Sequence, residues 1–253
     1  MKHPEVDKYS SLRSPIHKLD PRLKLVSFLV LIFSMVLIND LRFALLGLFI
    51  SFLLLSVSRL PLDFVFRHVK WVFLFVSPFL IIMPLTVGGS EMFQVFGAEI
   101  THEGVQLGLL VSIRALSAVI LVFPMIGTMR FDTTIKALYD LKVPSSLVQM
   151  LMFTYRYIFT FSDEFSRMRN AMASKGFELK TNLETLNIIG KAIGMLFVRA
   201  YERAERVYQA MLSRGYTGNP KTLTAFRMKR SDYLLATLII GFAILLHAPA
   251  LVI

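Results

Sequence analysis

Apolar and polar stretches alternate along the chain in the pattern of a membrane protein. Two short apolar runs come first, and only four residues, 39–42, separate them. Because each run is shorter than the ~20 residues of a usual crossing, they predict a tight helical hairpin, with a re-entrant hairpin as the alternative. The apolar runs are Leu25–Ile38, Phe43–Val57, Trp71–Val87, Val105–Met129 and Tyr233–Ile253. They predict an all-α polytopic membrane protein with about five transmembrane helices.

The same pattern divides the chain into four parts. They are a polar N-terminal segment (1–24), four spans with their connections (25–129), a large polar region (130–232) and the last span (233–253). Residues 59–70 are interpreted as a connector before the third span. The first helix is expected to begin at Asp20-Pro21, since Asp is a good N-cap and Pro loses no hydrogen bond at the first helical position.

The polar region predicts three amphipathic helices. A short one covers Asp132–Leu141. A long one follows Pro144, capped by Ser145 or Ser146, and runs through Ser174. A second long one covers Asn182–Ser213. Each long helix is apolar in its first half and charged in its second half. Region 130–232 is therefore interpreted as a domain of amphipathic helices.

The two long helices end in the same twelve-residue frame. Residues 166–177 read SRMRNAMASKGF, and residues 205–216 read ERVYQAMLSRGY. Arg, Ala, Met, Ser and Gly are identical at matching places, and Lys/Arg and Phe/Tyr are matched in kind. In each copy a basic last turn precedes a Gly that suits the left-handed position after a helix. Two helix ends of one design predict a protein that docks twice on the same kind of partner.

Composition and charge favour a membrane location and give an orientation. The chain has 253 residues, of which 55% are hydrophobic, and its formal net charge is +11. In a protein this apolar, the charge indicates Lys- and Arg-rich cytoplasmic segments rather than nucleic-acid binding. Lys and Arg concentrate in 1–24, 58–70 and 130–232, which the predicted spans place on one side of the membrane. The segments on the other side are 39–42, 88–104 and the C-terminus, and they contain only Arg42. We therefore expect a prokaryotic inner-membrane protein with a cytoplasmic N-terminus and an external C-terminus, and no cleaved signal peptide.

The sequence lacks the motifs of an enzyme or a resident metal site. It has no Cys, no phosphate-binding loop for ATP, no dinucleotide fingerprint and no paired acids within a span. The five His residues share no ligand spacing. The N-terminus followed by Lys2 and His3 could chelate Ni²⁺ or Cu²⁺, but a functional role there is disfavoured because that end is expected to be cytoplasmic. We predict no cofactor, no metal ligands and no catalytic residues.

Arg114 lies inside the fourth predicted span. A charge at that depth is costly and should face protein or water rather than lipid. A structural ion pair or a bound carbonyl is preferred here over a transport role.

The repeated helix ends can be interpreted in two ways. A basic last turn is locally favourable at a helix C-terminus, so each could be a capped helix end and no more. Local capping, however, requires neither Ala-Met at the same offset nor an aromatic residue after Gly. Arg offers a rigid donor fork, Gly permits close backbone approach, and Met and aromatic side chains add adaptable apolar contact. Docking on a two-fold partner, such as a pair of nucleotide-binding ATPase subunits, is therefore preferred.

The candidate docking residues follow from this frame. They are Ala173, Ser174, Lys175, Gly176, Leu212, Ser213, Arg214 and Gly215, with Arg167, Arg169, Arg206, Met172 and Met211 in support.

Nearly the whole chain resembles the transmembrane T component of energy-coupling factor (ECF) transporters, and within it the cobalt/nickel branch called CbiQ. The resemblance rests on four stretches: Val6-Asp7-Lys8-Tyr9, the segment from His17 to Lys24, Tyr155-Arg156-Tyr157 and the segment from Ala210 to Tyr216. The family hallmark is a pair of X-Arg-Gly triplets at the ends of two cytoplasmic coupling helices. Ser213-Arg214-Gly215 matches it, whereas Ser174-Lys175-Gly176 has Lys in place of Arg.

The resemblance implies a non-catalytic scaffold. In the family, the coupling helices insert into grooves on two ATPase subunits, and the T component also holds a substrate-binding membrane subunit (S component, CbiM-like). Closure of the ATPases on ATP moves the helix ends, and the motion passes to the substrate subunit. The expected partners are therefore two ATPase subunits, an S component and the lipid bilayer, and the expected cargo is cobalt or nickel.

Three alternatives remain at this point. The chain could serve a vitamin-type ECF transporter, because selectivity resides in another subunit. It could be a stand-alone channel or secondary carrier, although the near absence of carboxylates in the spans argues against proton coupling. A membrane-embedded enzyme is disfavoured because the sequence has no constellation of acids, bases or metal ligands.

Overall fold

The computed structural model describes residues 9–10, 12, 14–95, 98–218, 226 and 228–247. Within these residues the chain is an all-α polytopic membrane protein with one small β-hairpin. The helices are α1 (Pro21–Leu37), α2 (Leu41–Ser58), α3 (Leu62–Thr86), α4 (His102–Ile126), α5 (Phe131–Asp140), α6 (Ser145–Ser174), α7 (Leu183–Leu212) and α8 (Arg230–Leu245). The strands β1 (Glu91–Val95) and β2 (Ala98–Thr101) pair antiparallel between α3 and α4.

Among the described residues, three helices are long and apolar enough to cross a membrane: α2, α3 and α4. Helix α1 has 17 residues and α8 has 16 in the described part of the chain. The predicted fifth span continues to residue 253, and residues 248–253 lie outside the described part, as do the Lys2-His3 motif and Val6-Asp7-Lys8.

The chain divides into two compact units. The first comprises Met1–Ala137 and Ala225–Ile253, and the second comprises Leu138–Thr224. Helices α1 to α4 and α8 belong to the first unit, whereas α6 and α7 belong to the second.

The start of α1 follows the sequence prediction. The Asp20 carboxylate accepts a hydrogen bond from the backbone N–H of Arg22 at 3.0 Å and pairs with its guanidinium, and Pro21 occupies the first helical position. One turn later, Lys24 is 1% exposed, and its ammonium donates to the Thr128 hydroxyl at 2.9 Å. This bond ties the start of α1 to the segment that follows α4.

Close backbone approach holds the spans of the first unit together. A Cβ on Gly104 of α4 would lie 2.7 Å from the Met83 carbonyl oxygen and from Pro84 Cα of α3, so only Gly fits this crossing. On the other side, the Ser34 hydroxyl of α1 donates to the Ala243 carbonyl of α8 at 2.9 Å. Such contacts replace hydrophobic driving force where helices pack inside lipid.

The turn between α1 and α2 reaches the middle of α4. The Arg114 guanidinium donates to the Asn39 side-chain carbonyl at 3.0 Å, so the carbonyl partner expected for Arg114 is present. Arg114 lies about 18 Å along α4 from its first residue, at 1.5 Å per residue. The α1–α2 hairpin is therefore shorter than α3 and α4, which extend beyond its turn.

Two local predictions need correction. Residues 62–70 are not a connector, because α3 already begins at Leu62, and polar side chains do not by themselves end a helix. Neither Ser145 nor Ser146 caps α6. Pro144 holds the cap position, and the N–H groups of Leu147 and Val148 donate to its carbonyl oxygen. The polar loop before α4 contains the β-hairpin, and the Thr101 hydroxyl caps α4 by accepting from Gly104 N–H.

Candidate functional site

The first copy of the repeated frame ends α6 in a Schellman motif. Gly176 has φ of +85°, and its N–H donates to the Ala173 carbonyl at 3.0 Å. The N–H of Phe177 donates to the Met172 carbonyl at 3.1 Å. These two bonds are the reversed pair that closes a helix around a left-handed residue. Lys175 occupies the cap position between them.

The second copy ends α7 with the same bonds. Gly215 has φ of +77°, and its N–H donates to the Leu212 carbonyl at 2.9 Å. The N–H of Tyr216 donates to the Met211 carbonyl at 3.1 Å. Each bond joins residues at the offsets used in the first copy. The sequence repeat is therefore a structural repeat, because Gly at the same offset permits the same backbone reversal.

Exposure also repeats between the two ends. The four predicted docking residues of each copy are exposed, and the Met before them and the aromatic residue after them are half-buried. The exposed residues are Ala173, Ser174, Lys175, Gly176, Leu212, Ser213, Arg214 and Gly215. Each helix end thus presents an exposed tip of four residues with one cation, flanked by two larger side chains that are less exposed.

Helices α6 and α7 run antiparallel, so the two tips point away from each other. Gln149 near the start of α6 accepts a hydrogen bond from the Tyr216 hydroxyl, and its amide donates to the Gly218 carbonyl at 2.6 Å. Midway along both helices, Arg199 pairs with Glu164. Lys175 and Arg214 lie about 17 Å and about 23 Å from this crossing, in opposite directions, at 1.5 Å per residue.

The crossing is held by charge. Hydrogen bonding from Arg199, with further attraction from Arg167, lowers the pKa of the Glu164 carboxyl. The Arg167 guanidinium lies 2.9 Å from Glu164, so this predicted supporting residue acts within α6 rather than at the tip. Arg206 lies 3.9 Å from Glu202 at i,i+4, as its spacing predicts. Arg169 is exposed.

Sequence reasoning missed the groove between α6 and α7. It has a volume of about 620 Å³ and a mostly apolar lining that includes Phe153, Tyr157, Phe161, Met211 and Tyr216. The i,i+4 spacing of the three α6 aromatic residues was the available signal. Met211 and Tyr216 line the groove and also form the hydrogen bond that closes the α7 cap, so the groove adjoins this helix end.

Metal-binding groups do not come together in the described part of the chain. No three His, Asp or Glu side chains there are placed to hold a metal ion.

A protein-family comparison decides the relationship of the chain. The model of the cobalt transport protein family CbiQ matches residues 13–224. The chain belongs to the CbiQ family. Both copies of the repeated frame and all of α6 and α7 lie inside the matched residues.

Relatives of this CbiQ-family chain include bacterial and archaeal proteins. It is 29% identical to the energy-coupling factor transporter transmembrane protein EcfT of Macrococcus caseolyticus, and the match covers 84% of each chain. It is also 29% identical to EcfT of Bacillus subtilis, again over 84% of each chain. An uncharacterized protein of Methanocaldococcus jannaschii is 31% identical over 93% of this chain and 89% of its own length.

Proposed function

We propose that this chain is the transmembrane coupling subunit of an ECF-type importer. It transmits the movement of two ATPase subunits to a substrate-binding membrane subunit and does not itself hydrolyse ATP. One observation carries the proposal: two matched, exposed helix caps stand at opposite ends of an antiparallel helix pair. The EcfT names of the relatives and the CbiQ family support it.

The geometry of the tips suits a two-fold partner. Two ATPase subunits related by symmetry offer two equivalent sites facing each other, and one rigid helix pair with matched, oppositely directed ends can occupy both. The Arg214 guanidinium would bind carbonyl or carboxylate oxygens of one subunit. Lys175 would meet the other subunit as a point charge, without the planar fork. The candidate docking set is the one derived from the sequence: Ala173, Ser174, Lys175, Gly176, Leu212, Ser213, Arg214 and Gly215.

The ion pair at the crossing gives the two tips mechanical continuity. When the ATPase subunits close, both tips would be carried together because Glu164 and Arg199 join the helices between them. The movement would reach the membrane unit through the coupling domain 130–232. On this proposal, the N-terminal segment 1–24 and the domain 130–232 are cytoplasmic, the spans lie in 25–129 and 233–253, and the C-terminus is external.

The cargo is proposed to be cobalt or nickel. The description of the matching family as a cobalt transport protein supports this assignment. The ion would be held by the S component. The test is uptake of Co²⁺ and Ni²⁺ by the complex reconstituted with its S component, with a vitamin substrate as the alternative outcome.

The docking proposal is tested with Arg214→Ala, Lys175→Ala and the double variant. Neither cation forms an ion pair within the described residues, and both are exposed, so the free energy of unfolding should change by no more than about 0.5 kcal/mol. A lost charge-assisted interface bond is worth about 1.5–3 kcal/mol, which weakens ATPase binding by about 10- to 150-fold. Lys191→Ala is the matched control, because Lys191 is also exposed and lies in α7 away from its cap.

Affinity is measured by co-purification and by titration of the ATPases against the chain in detergent. We expect the double variant to lose ATPase binding and ATP-driven uptake, Lys191→Ala to keep both, and Lys175→Arg to bind at least as tightly as the unmodified chain. Normal co-purification and uptake by the double variant would refute the docking role. Substantial flux through the purified chain alone in liposomes, without ATP, would instead identify a stand-alone carrier.

A further inference from the structure

A basic cavity opens among the helix ends of the first unit. It has a volume of about 520 Å³, and its lining comes from the segment before α1, the end of α2 and the start of α8. The lining residues that matter here are Lys18, Arg59, Lys229, Ser231, Asp232 and Leu235. Neither the docking tips nor the groove between α6 and α7 contributes to it.

The lining carries an excess of positive charge. Three cations, Lys18, Arg59 and Lys229, meet one carboxylate, Asp232. That carboxylate is 4% exposed and already engaged, since it accepts from the Lys229 backbone N–H at 2.9 Å and lies 3.4 Å from the Ser231 hydroxyl. The three cations are exposed, and they form no ion pair within the described residues. The cavity therefore offers unneutralised positive charge to an anion.

The start of α8 adds to the same potential. The first N–H groups of a helix lack intrahelical partners and carry its positive dipole end. Ser231 is the second residue of α8 and lines the cavity, so this helix end faces the same space. Helix N-termini combined with cations are suited to phosphate groups.

An apolar surface continues from the cavity along α8. Leu235 lines the cavity, and Leu238 follows one turn later on the same helix face, since i and i+3 positions are neighbours. Leu238 is 62% exposed. A free phosphate ion would use neither this surface nor most of the volume, which falls in the range of pockets for larger molecules. A lipid headgroup with acyl chains would use both.

We propose that this cavity binds the phosphate headgroup of an anionic phospholipid, with Arg59 and Lys229 as the principal phosphate ligands and the Leu235–Leu238 face of α8 holding an acyl chain. The inference rests on the membrane orientation given with the proposed function, in which these helix ends lie at the cytoplasmic surface. Basic pockets between membrane helices at that surface bind anionic headgroups. A bound lipid would link α2, α8 and the segment before α1 at the membrane boundary.

The experiment is native mass spectrometry of the detergent-solubilised chain, offered phosphatidylglycerol and phosphatidylcholine in equal amounts. We expect selective retention of phosphatidylglycerol. In Arg59→Gln/Lys229→Gln, retention should fall about 30-fold, because each cation near an anionic headgroup contributes about a factor of five. The matched control is Arg67→Gln/Lys70→Gln, which removes two exposed cations of α3 and should change retention by less than about twofold.

One further variant, which keeps both charges, separates binding from folding. Arg59 already has φ of 55°, so Gln at this position introduces no new backbone strain. Arg59→Lys/Lys229→Arg keeps both charges and should retain the lipid. If this variant loses the lipid while it elutes as the unmodified chain does, charge is not what the cavity recognises, and the proposal is overturned.

The other outcomes also decide. Equal retention of the two lipids, or equal losses in the cavity and control variants, would overturn the proposal. Displacement of phosphatidylglycerol by excess inorganic phosphate would assign the cavity to a soluble anion and refute the lipid. ATPase co-purification is measured in parallel: Arg59→Gln/Lys229→Gln should keep it, whereas Arg214→Ala should not. Failure of the lipid proposal is thereby distinguished from failure of the docking proposal.

Discussion

The two capping glycines allow the docking tips to be perturbed without removing a charge. Gly215 has φ of +77°, and a Cβ added there meets no atom within 4 Å. The cost of Gly215→Ala is therefore conformational rather than steric, about 1–2 kcal/mol for an L-residue held in the left-handed region. That energy favours opening of the last turn, so the population with a frayed α7 end should rise about 5- to 30-fold.

A glycine inside α7 provides the control. Gly194 lies inside α7, and a Cβ added there also meets nothing within 4 Å. Because Gly194 does not have a positive φ, Ala at this position should stabilise the helix by about 0.8–1.0 kcal/mol. The same substitution is thus expected to act with opposite sign inside α7 and just after its end, because φ is positive only at Gly215.

Hydrogen exchange of single amides measures the effect. The reporter is the N–H of Tyr216, whose bond to the Met211 carbonyl closes the cap. Its exchange should be faster by about 5- to 30-fold in Gly215→Ala and no faster in Gly194→Ala. Gly215→Asn should fall between Ala and Gly, since Asn tolerates the left-handed region better than Ala does.

The result also bears on docking. We expect Gly215→Ala to weaken ATPase binding although every charge is kept, because the tip that carries Arg214 loses its fixed geometry and gains a Cβ at the point of contact. An unchanged Tyr216 exchange rate in Gly215→Ala would refute the left-handed cap. Faster exchange with unchanged ATPase binding would leave the cap correct and contradict its role as a docking tip.

Three further predictions concern the first unit. Thr128→Val leaves the buried Lys24 ammonium without its acceptor and should lower the free energy of unfolding by about 3 kcal/mol in thermal or denaturant unfolding, whereas Lys24→Met/Thr128→Val should recover most of the loss. Burial lowers the pKa of His17 below 6.5, so the folded state binds fewer protons there than the unfolded state. The contribution of His17 to stability should therefore be fully present above pH 6.5 and fall as the pH drops through the folded pKa. His17→Gln should flatten this part of the pH profile of the free energy of unfolding. Gly104→Ala would place a Cβ 2.7 Å from backbone atoms of α3, so the two helices must move apart, and it should cost about 1–3 kcal/mol in the same unfolding assay. Gly241→Ala, where a Cβ meets nothing within 4 Å, is the tolerated control.

Local rules predicted most of the helices because they depend on neighbouring residues. Asp20-Pro21 predicted the start of α1, and Asn182 caps α7 by accepting from the Thr185 N–H at 2.8 Å. The same rules failed where hydropathy stood in for helicity. The charged residues in the first turns of α3 predicted a connector, but a helix continues as long as its backbone hydrogen bonds are satisfied.

The two matched helix ends show how much of a structure a sequence repeat can predict. A shared twelve-residue frame with Gly at one offset predicted two equivalent caps, and the two ends share the same hydrogen bonds and the same exposure. The family resemblance was equally accessible, and the CbiQ match confirms it. The docking role and the membrane orientation stay predictions for the experiments above.

The sequence by itself determined the features that depend on residues close together in the chain: the apolar runs, the start of α1, the two matched helix ends and the family resemblance. The tertiary structure decided what depends on which distant residues meet. It set α6 and α7 antiparallel, through Gln149 with Tyr216 and Glu164 with Arg199, and so directed the tips in opposite directions. It also brought Lys18, Arg59 and Lys229 to one cavity. Periodicity places a side chain on a helix face, but only packing between elements selects the partner that the face meets.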